Sequence, residues 1–161
     1  MLLEHGFGPV YDERSRVLIL GSFPSVRSRA QGFYYGHPKN RFWPLMALLF
    51  GGDAGNTPEA RRAYCLERGI ALWDVVERCE IQGSADSSIK NVQPTDLMRL
   101  LGACDIQRIC INGATAYKLY EKYQRPLTGR EALRLPSTSP ANAAWSLERL
   151  YEAWRAALAG A

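Results

Sequence analysis

The sequence predicts a three-layer α/β/α sandwich built on a central four-stranded, mainly parallel sheet. Three observations lead there. Four short apolar runs, at 16–20, 70–73, 108–112 and 132–135, alternate with helix-like segments, and strands separated by helices pair in parallel. Two of the runs break into small, polar, Pro-containing loops, Gly21-Ser-Phe-Pro-Ser25 and Pro136-Ser-Thr-Ser-Pro-Ala-Asn142. In open α/β sheets such loops lie at the carboxyl ends of strands, where ligands bind. Finally, 161 residues with 47% hydrophobic content suit one domain, 1–161, with one core.

The elements follow in order. Residues 16–20 form a continuous apolar run after Arg16, as expected of a strand buried on both faces. Residues 42–50 read as a helix, with Asn40 placed to cap it. Thr57-Pro-Glu-Ala-Arg-Arg62 is a helix start, with Thr57 as N-cap and Pro58 at the first helical position, and the helix ends near Gly69. Residues 70–73 form a short strand. Thr95 or Asp96 can cap a helix over 97–101. Residues 108–112 are a third strand that turns at Gly113 into a helix over 114–123. Residues 132–135 are the fourth strand. The last helix carries Leu147, Leu150, Tyr151, Trp154 and Leu158 at helical spacing, a face for core packing. The connections 22–41 and 75–93 are long for a compact domain, and long structured loops are usually functional. Both begin at carboxyl ends of strands, on the same side of the sheet.

Composition removes several classes of function. No apolar stretch approaches the ~20 residues of a membrane span, and residues 1–9 contain Glu4, His5 and two glycines, unlike a signal peptide. The expected location is cytoplasmic. Cys65, Cys79, Cys104 and Cys110 form no CxxC pair and read as buried reduced thiols. Two histidines, His5 and His37, cannot build a His-rich metal site, so neither metal nor cofactor is expected. There is no GxSxG elbow, no phosphate-binding GxxxxGK[ST] loop and no GxGxxG. A net charge of +4 permits a polyanionic partner without demonstrating one.

Chemistry must therefore come from amides, carboxylates, hydroxyls and backbone groups. Gly21 to Ser25 offers backbone N–H groups and two hydroxyls at a strand end, suited to an anion or a polarised carbonyl, or is a plain connection stiffened by Pro24. The run from Tyr34 to Trp43 gathers aromatics, His37, Asn40 and two cations. Aromatic faces can stack on a base, and an Asn can read a base edge with a donor and an acceptor. Phe42 and Trp43 read as core residues; Asn40 can cap and also act. Ser137, Thr138, Ser139 and Asn142 precede the final helix, where hydroxyls and free N–H groups make a phosphate site; simple capping by Ser139 or Asn142 is the alternative. Asp86 is either a site carboxylate or a turn former.

Taken together, these segments resemble the uracil-DNA glycosylase superfamily. Gly21 to Ser25 is similar to its first motif, a Gly-x-x-Pro-small turn after the first core strand. The Pro-Ser-Thr-Ser loop resembles the second motif, which grips DNA phosphates. Ile111-Asn-Gly-Ala-Thr-Ala-Tyr117 resembles the third conserved strand and turn. Tyr35-Gly-His-Pro-Lys-Asn-Arg-Phe-Trp43 is similar to the segment that mismatch-specific uracil/thymine glycosylases carry after the first motif. With Gly83-Ser-Ala-Asp-Ser-Ser-Ile89, the best match is the hypoxanthine-DNA (deoxyinosine) glycosylase branch.

The resemblance implies a monofunctional, cofactor-free glycosylase, acting as a monomer on double- or single-stranded DNA that carries a damaged base. Asn40 matches the Asn that this branch is thought to use for catalysis. Gly21, Ser22, Phe23, Tyr35, Asp86 and Ser87 would hold the base, which stacks on Tyr35 or Phe23. Ser25 and Arg27 on one side, and Ser137, Thr138, Ser139 and Asn142 with the last helix on the other, would hold phosphates. Two departures stand out. Phe23 occupies the position where classical uracil enzymes place an Asp or Asn, and it cannot position water. In the second motif, Leu135 and the small stretch 139–141 stand where a His or Asn and a bulky wedge are usual. This implies either low catalytic power or a preference for bases already loosely stacked. A mismatch uracil/thymine glycosylase and a catalytically dead nucleic-acid-binding module are the competing readings.

Overall fold

The computed structural model describes residues 2–159. Its centre is a four-stranded sheet of β2 (Val17–Gly21), β3 (Ile70–Asp74), β6 (Arg108–Asn112) and β7 (Leu133–Leu135), in the order β3-β2-β6-β7. All three pairings are parallel. Leu18 to Leu20, Ile70 to Leu72 and Ile109 to Ile111 are nearly devoid of exposed surface, because helices cover both faces.

The order explains the layers. The chain leaves β2 through α1 (Val26–Gln31), α2 (Phe42–Phe50) and α3 (Pro58–Glu67) to reach β3 on one side. It then returns past β2 to β6 through α4 (Leu97–Ala103). Right-handed crossovers running in opposite directions lie on opposite faces. The carboxyl end of β2 is therefore the switch point where a crevice opens. After β6, α5 (Ala114–Leu119) leads through a π-helical stretch, Tyr120–Gln124, into α6 (Arg125–Thr128), longer than the expected helix. Gln124, buried in that stretch, donates from Nε2 to the carbonyls of Val75 and Thr95. The last helix, α7 (Leu147–Ala159), packs on α2, with Phe42 and Trp154 edge to face at 6.4 Å. No helix among the described residues is long and apolar enough to cross a membrane.

Three local expectations need correction. The long connection 75–93 is largely not a loop. It holds β4 (Val76–Glu80) and β5 (Lys90–Pro94), which pair antiparallel and with β1 (Leu3–Glu4) form a second sheet, β1-β4-β5. Charged residues on the exposed face of Val-Glu-Arg-Cys-Glu hide a strand whose Val76 and Cys79 are buried. Thr95 does not cap α4: its hydroxyl donates to the carbonyl of Asp74, and Asp96 takes the N-cap position without a side-chain bond. Finally, α7 starts beyond the Pro136 loop. Ser146 accepts from the Arg149 amide at its start, so neither Ser139 nor Asn142 caps it.

Candidate active site

At the carboxyl ends of the parallel strands lies a pocket of about 270 Å³, near the lower end of ligand-sized cavities (about 300 Å³). A wider groove of about 700 Å³ adjoins it along Ser87, Asn112, Arg134, Ser137, Asn142 and Trp145. The two share Asp86, Asn112, Ser137 and Ser139.

The β2 turn builds one wall. The carbonyls of Gly21 and Ser22 accept from the amides of Val75 and Val76, which ties the turn to the β3–β4 joint. Ser22 Oγ donates to Asp86 Oδ1 at 2.8 Å, linking the turn to the exposed 3-10 turn Asp86–Ser88. Crowding around the Asp86 carboxyl raises its pKa; the Ser22 bond opposes that and the charge of Asp74 adds to it. Ser87 lines the wider groove and not the smaller pocket. Ser25 Oγ accepts from the Ser28 amide and caps α1, while Arg27 projects from α1 into solvent. Arg29 donates to the Gly83 carbonyl and fastens the two loops together.

Tyr35 provides the aromatic surface. Its φ of 53° is in the left-handed region, a conformation that costs a non-glycine residue about 1–3 kcal/mol and is concentrated at functional sites. One ring face stacks on Phe42 at 3.9 Å and 18°, and the residue also lines the pocket. Phe23 lies deeper, 7% exposed, with its ring edge-to-face on His5. Of the two candidate stacking residues, Tyr35 is the better presented.

Asn40 stands at the pocket rim. Its Oδ1 accepts from the Phe42 amide at 2.9 Å; it does so from one residue upstream of the expected place, because Arg41 takes the N-cap position of α2 without a side-chain bond. This contact fixes the amide's orientation and leaves the Nδ2 donors for the pocket. The turn before it is set by the Lys39 amide donating to His37 Nδ1 and the Asn40 amide donating to the His37 carbonyl.

The second loop is held by a residue the sequence reading passed over. The Arg41 guanidinium donates to the carbonyls of Thr138, Ser139, Asn142 and Trp145, and its amide donates to Thr138 as well. Within the loop, Ser137 Oγ accepts from the Ser139 amide, Ser139 Oγ from the Ala141 amide, and Asn142 Nδ2 donates to the Ser137 carbonyl. The partly exposed hydroxyls of Ser137 and Ser139 face the groove. Thr138 does not fit its expected role as a phosphate contact. It is fully buried; its hydroxyl accepts from Asn112 Nδ2 and its amide donates to Asn112 Oδ1. Thr138 instead sets Asn112 at the end of β6, with Nδ2 retaining a second N–H.

Three further residues carried no signal that sequence spacing could resolve. Asp74 ends β3 directly beside Gly21 and is buried, as is His5, whose Nε2 lies 2.7 Å from Asp74 Oδ2. Asn112 lay within the matched third strand, but nothing marked its partner 26 residues away. Burial pushes the Tyr35 phenol well above its ordinary value, and the charge of Asp74 adds to this. The same burial raises the Cys65 and Cys110 thiols to about 12 and Cys79 to about 11, which makes them poor nucleophiles. Among the described residues, no three His, Cys, Asp or Glu side chains converge as a metal site.

Gly21 is required by space. A Cβ there would sit 2.6 Å from Asp74 Oδ1 and 3.3 Å from the Tyr35 hydroxyl, and His5 holds that carboxylate in place. Gly21→Ala should destabilise the fold by about 1–2 kcal/mol through overpacking. An unchanged melting temperature would contradict this packing.

This geometry can be set beside known proteins. The family model of the uracil DNA glycosylase superfamily matches residues 9–158. A protein of Methanosarcina acetivorans named hypoxanthine DNA glycosylase is 36% identical over 157 residues, 96% of this chain and 98% of that one. One of Methanosarcina barkeri with the same name is 36% identical over 141 residues, covering 86% and 88%. A solution NMR structure from Methanosarcina acetivorans, named for the uracil DNA glycosylases, superposes with a TM-score of 0.81 at 35% identity, covering 97% and 96%. With the fold, the switch-point pocket and these matches in agreement, the chain belongs to the uracil DNA glycosylase superfamily.

Proposed function

We propose that this chain is a monofunctional DNA glycosylase that flips a deaminated base out of DNA and hydrolyses its N-glycosyl bond, with hypoxanthine as the principal substrate, in base excision repair. The observation that carries the reading is the shared pocket. Asn40, Tyr35 and Asn112 surround one cavity that opens onto the Ser137–Ser139 groove. The two relatives named hypoxanthine DNA glycosylase support the choice of base.

The target base must leave the stack to be reached. Its face rests on Tyr35 and its polar edge meets the β2 turn and the floor of the pocket. Ser137, Ser139 and the Asn142 segment hold the strand on one side, and Ser25 and Arg27 on the other. Bond breaking passes through an oxocarbenium-like sugar, so the site mainly stabilises separated charge. Asn40 cannot take up a proton. It orients the attacking water or donates from Nδ2 to the departing purine. No Lys lines the pocket, so the reaction ends at an abasic site without strand cleavage.

The deciding experiment incubates the protein with a duplex bearing one deoxyinosine and then cleaves abasic sites with alkali. Breakage at that position supports the reading. A cut only in a parallel uracil or G·T duplex shifts it to the mismatch uracil/thymine enzymes, which share the His-Pro-x-Asn segment. Salt-dependent DNA binding without any cleavage favours a non-catalytic module. In the same assays, Arg27→Ala should reduce the slope of log affinity against log salt by roughly 0.9, the contribution of one phosphate contact. An unchanged slope removes Arg27 from the interface.

A further inference from the structure

Asp74 is a buried acid that the mechanism above does not use. It lies on the strand next to the β2 turn, in register with Gly21. Asn112 ends the strand on the other side of β2. Two strand spacings, about 10 Å, separate the two residues, with the side-chain-free Gly21 between them. Both line the pocket.

Only one oxygen of the carboxylate is occupied. Oδ2 accepts from His5 Nε2 at 2.7 Å. His5 Nδ1 meets the Phe7 carbonyl, which can only accept. Both ring nitrogens thus face acceptors, which suits an imidazolium paired with a carboxylate. Burial opposes that charge, but the bond and charge of Asp74, the Phe7 carbonyl and Glu77 outweigh it, and the His5 pKa is raised. Oδ1 takes no hydrogen bond from the described residues. It lies over Gly21, on the side of the Tyr35 hydroxyl, which is buried close to Asn112. An acceptor left open on a residue that lines the pocket is available to a ligand there.

We infer that Asp74 reads the edge that deamination creates: Oδ1 accepts the lactam N–H of the flipped base while Asn112 Nδ2 donates to the neighbouring carbonyl. The inference rests on the base-excision reading and deepens it. Deamination turns a ring-nitrogen acceptor beside an amino donor into an N–H donor beside a carbonyl acceptor. An acceptor placed near a donor, as in Asp74 and Asn112, matches the deaminated base. Adenine would set its N1 lone pair against a carboxylate and its amino group against another donor. A site with committed buried partners rejects such a mismatch strongly. Guanine and thymine carry the lactam pair too, so this device separates deaminated bases from adenine and cytosine only. His5 is a positioning residue: it holds Oδ2 and so aims Oδ1.

The test compares hypoxanthine with its N1-methyl derivative, both as single-turnover substrates in duplex DNA and as free bases in calorimetric binding. Uracil and 3-methyluracil run in parallel. Wild-type protein should prefer the unmethylated base on the order of 10²-fold. Asp74→Asn should lose that preference, handling methylated and unmethylated bases alike, with folding checked by circular dichroism. His5→Gln, which retains a donor toward Asp74, should keep more of the preference than His5→Ala. A purely structural role would lower every rate together and leave the ratio unchanged. A wild-type protein indifferent to the methyl group in both excision and binding overturns the inference even if deoxyinosine is cut. Preference for uracil over 3-methyluracil without deoxyinosine cleavage overturns the choice of base and upholds the role of Asp74.

Discussion

Asn40→Ala lowers the single-turnover rate of hypoxanthine release on the order of 10²-fold, the scale on which loss of one positioned polar group is felt. The side chain has two jobs, and the variant removes both. Its Oδ1 accepts from the Phe42 amide, the first of α2, so the fold should lose about 1 kcal/mol with that hydrogen bond and remain assembled. Its Nδ2 faces the pocket, and loss of that donor accounts for the rate. Asn40→Asp separates the two roles, since a carboxylate still accepts from Phe42 but cannot donate. If Nδ2 supports the departing purine, the Asp variant melts like the wild type and reacts as slowly as the Ala variant. If Asn40 orients water by accepting from it, the Asp variant regains activity. A folded Asn40→Ala protein that cuts at the wild-type rate removes this residue from the mechanism.

Arg41→Ala should have the largest effect on the scaffold. One guanidinium serves four carbonyls of the segment from Thr138 to Trp145, and a hydrogen bond to a charged group contributes about 1.5–3 kcal/mol net when its partner is buried. Since Arg41 is only partly buried and water can replace some of these bonds, a net loss of about 3 kcal/mol is expected. For a domain of this size that lowers the melting temperature by roughly 6–12 °C. DNA affinity should fall as well, because the Ser137 and Ser139 hydroxyls lose their placement. Arg41→Lys should rescue little, since an ammonium cannot span four acceptors in a planar fork. A variant with wild-type melting and wild-type DNA affinity would show that the loop holds itself.

The link between these residues shows where sequence reading succeeds and where it stops. Asn40 was legible because its neighbours in sequence define it: a turn, a helix start and an aromatic run lie within ten residues. The parallel sheet was legible for the same reason, since a strand buried on both faces is apolar without interruption. The second sheet was not, because a half-buried antiparallel strand such as Val76–Glu80 places charged residues on its outer face. Ser137, Thr138 and Ser139 looked equivalent in sequence. Burial separated them: Thr138 points inward to fix Asn112, while its two neighbours stay partly exposed.

The sequence by itself determined the layers, the four parallel strands, the two loops at their carboxyl ends and the family resemblance, because each depends on local pattern and order. Only the tertiary structure decided which side chains meet. His5 and Asp74 are 69 residues apart, Arg41 and Ser139 98, Asn112 and Thr138 26. Contacts of that range depend on how the strands are ordered and registered in the sheet. The physical reason is that the parallel order β3-β2-β6-β7 brings the ends of distant strands to one edge. There the bare Gly21 leaves room for an acid from one neighbouring strand and an amide from the other.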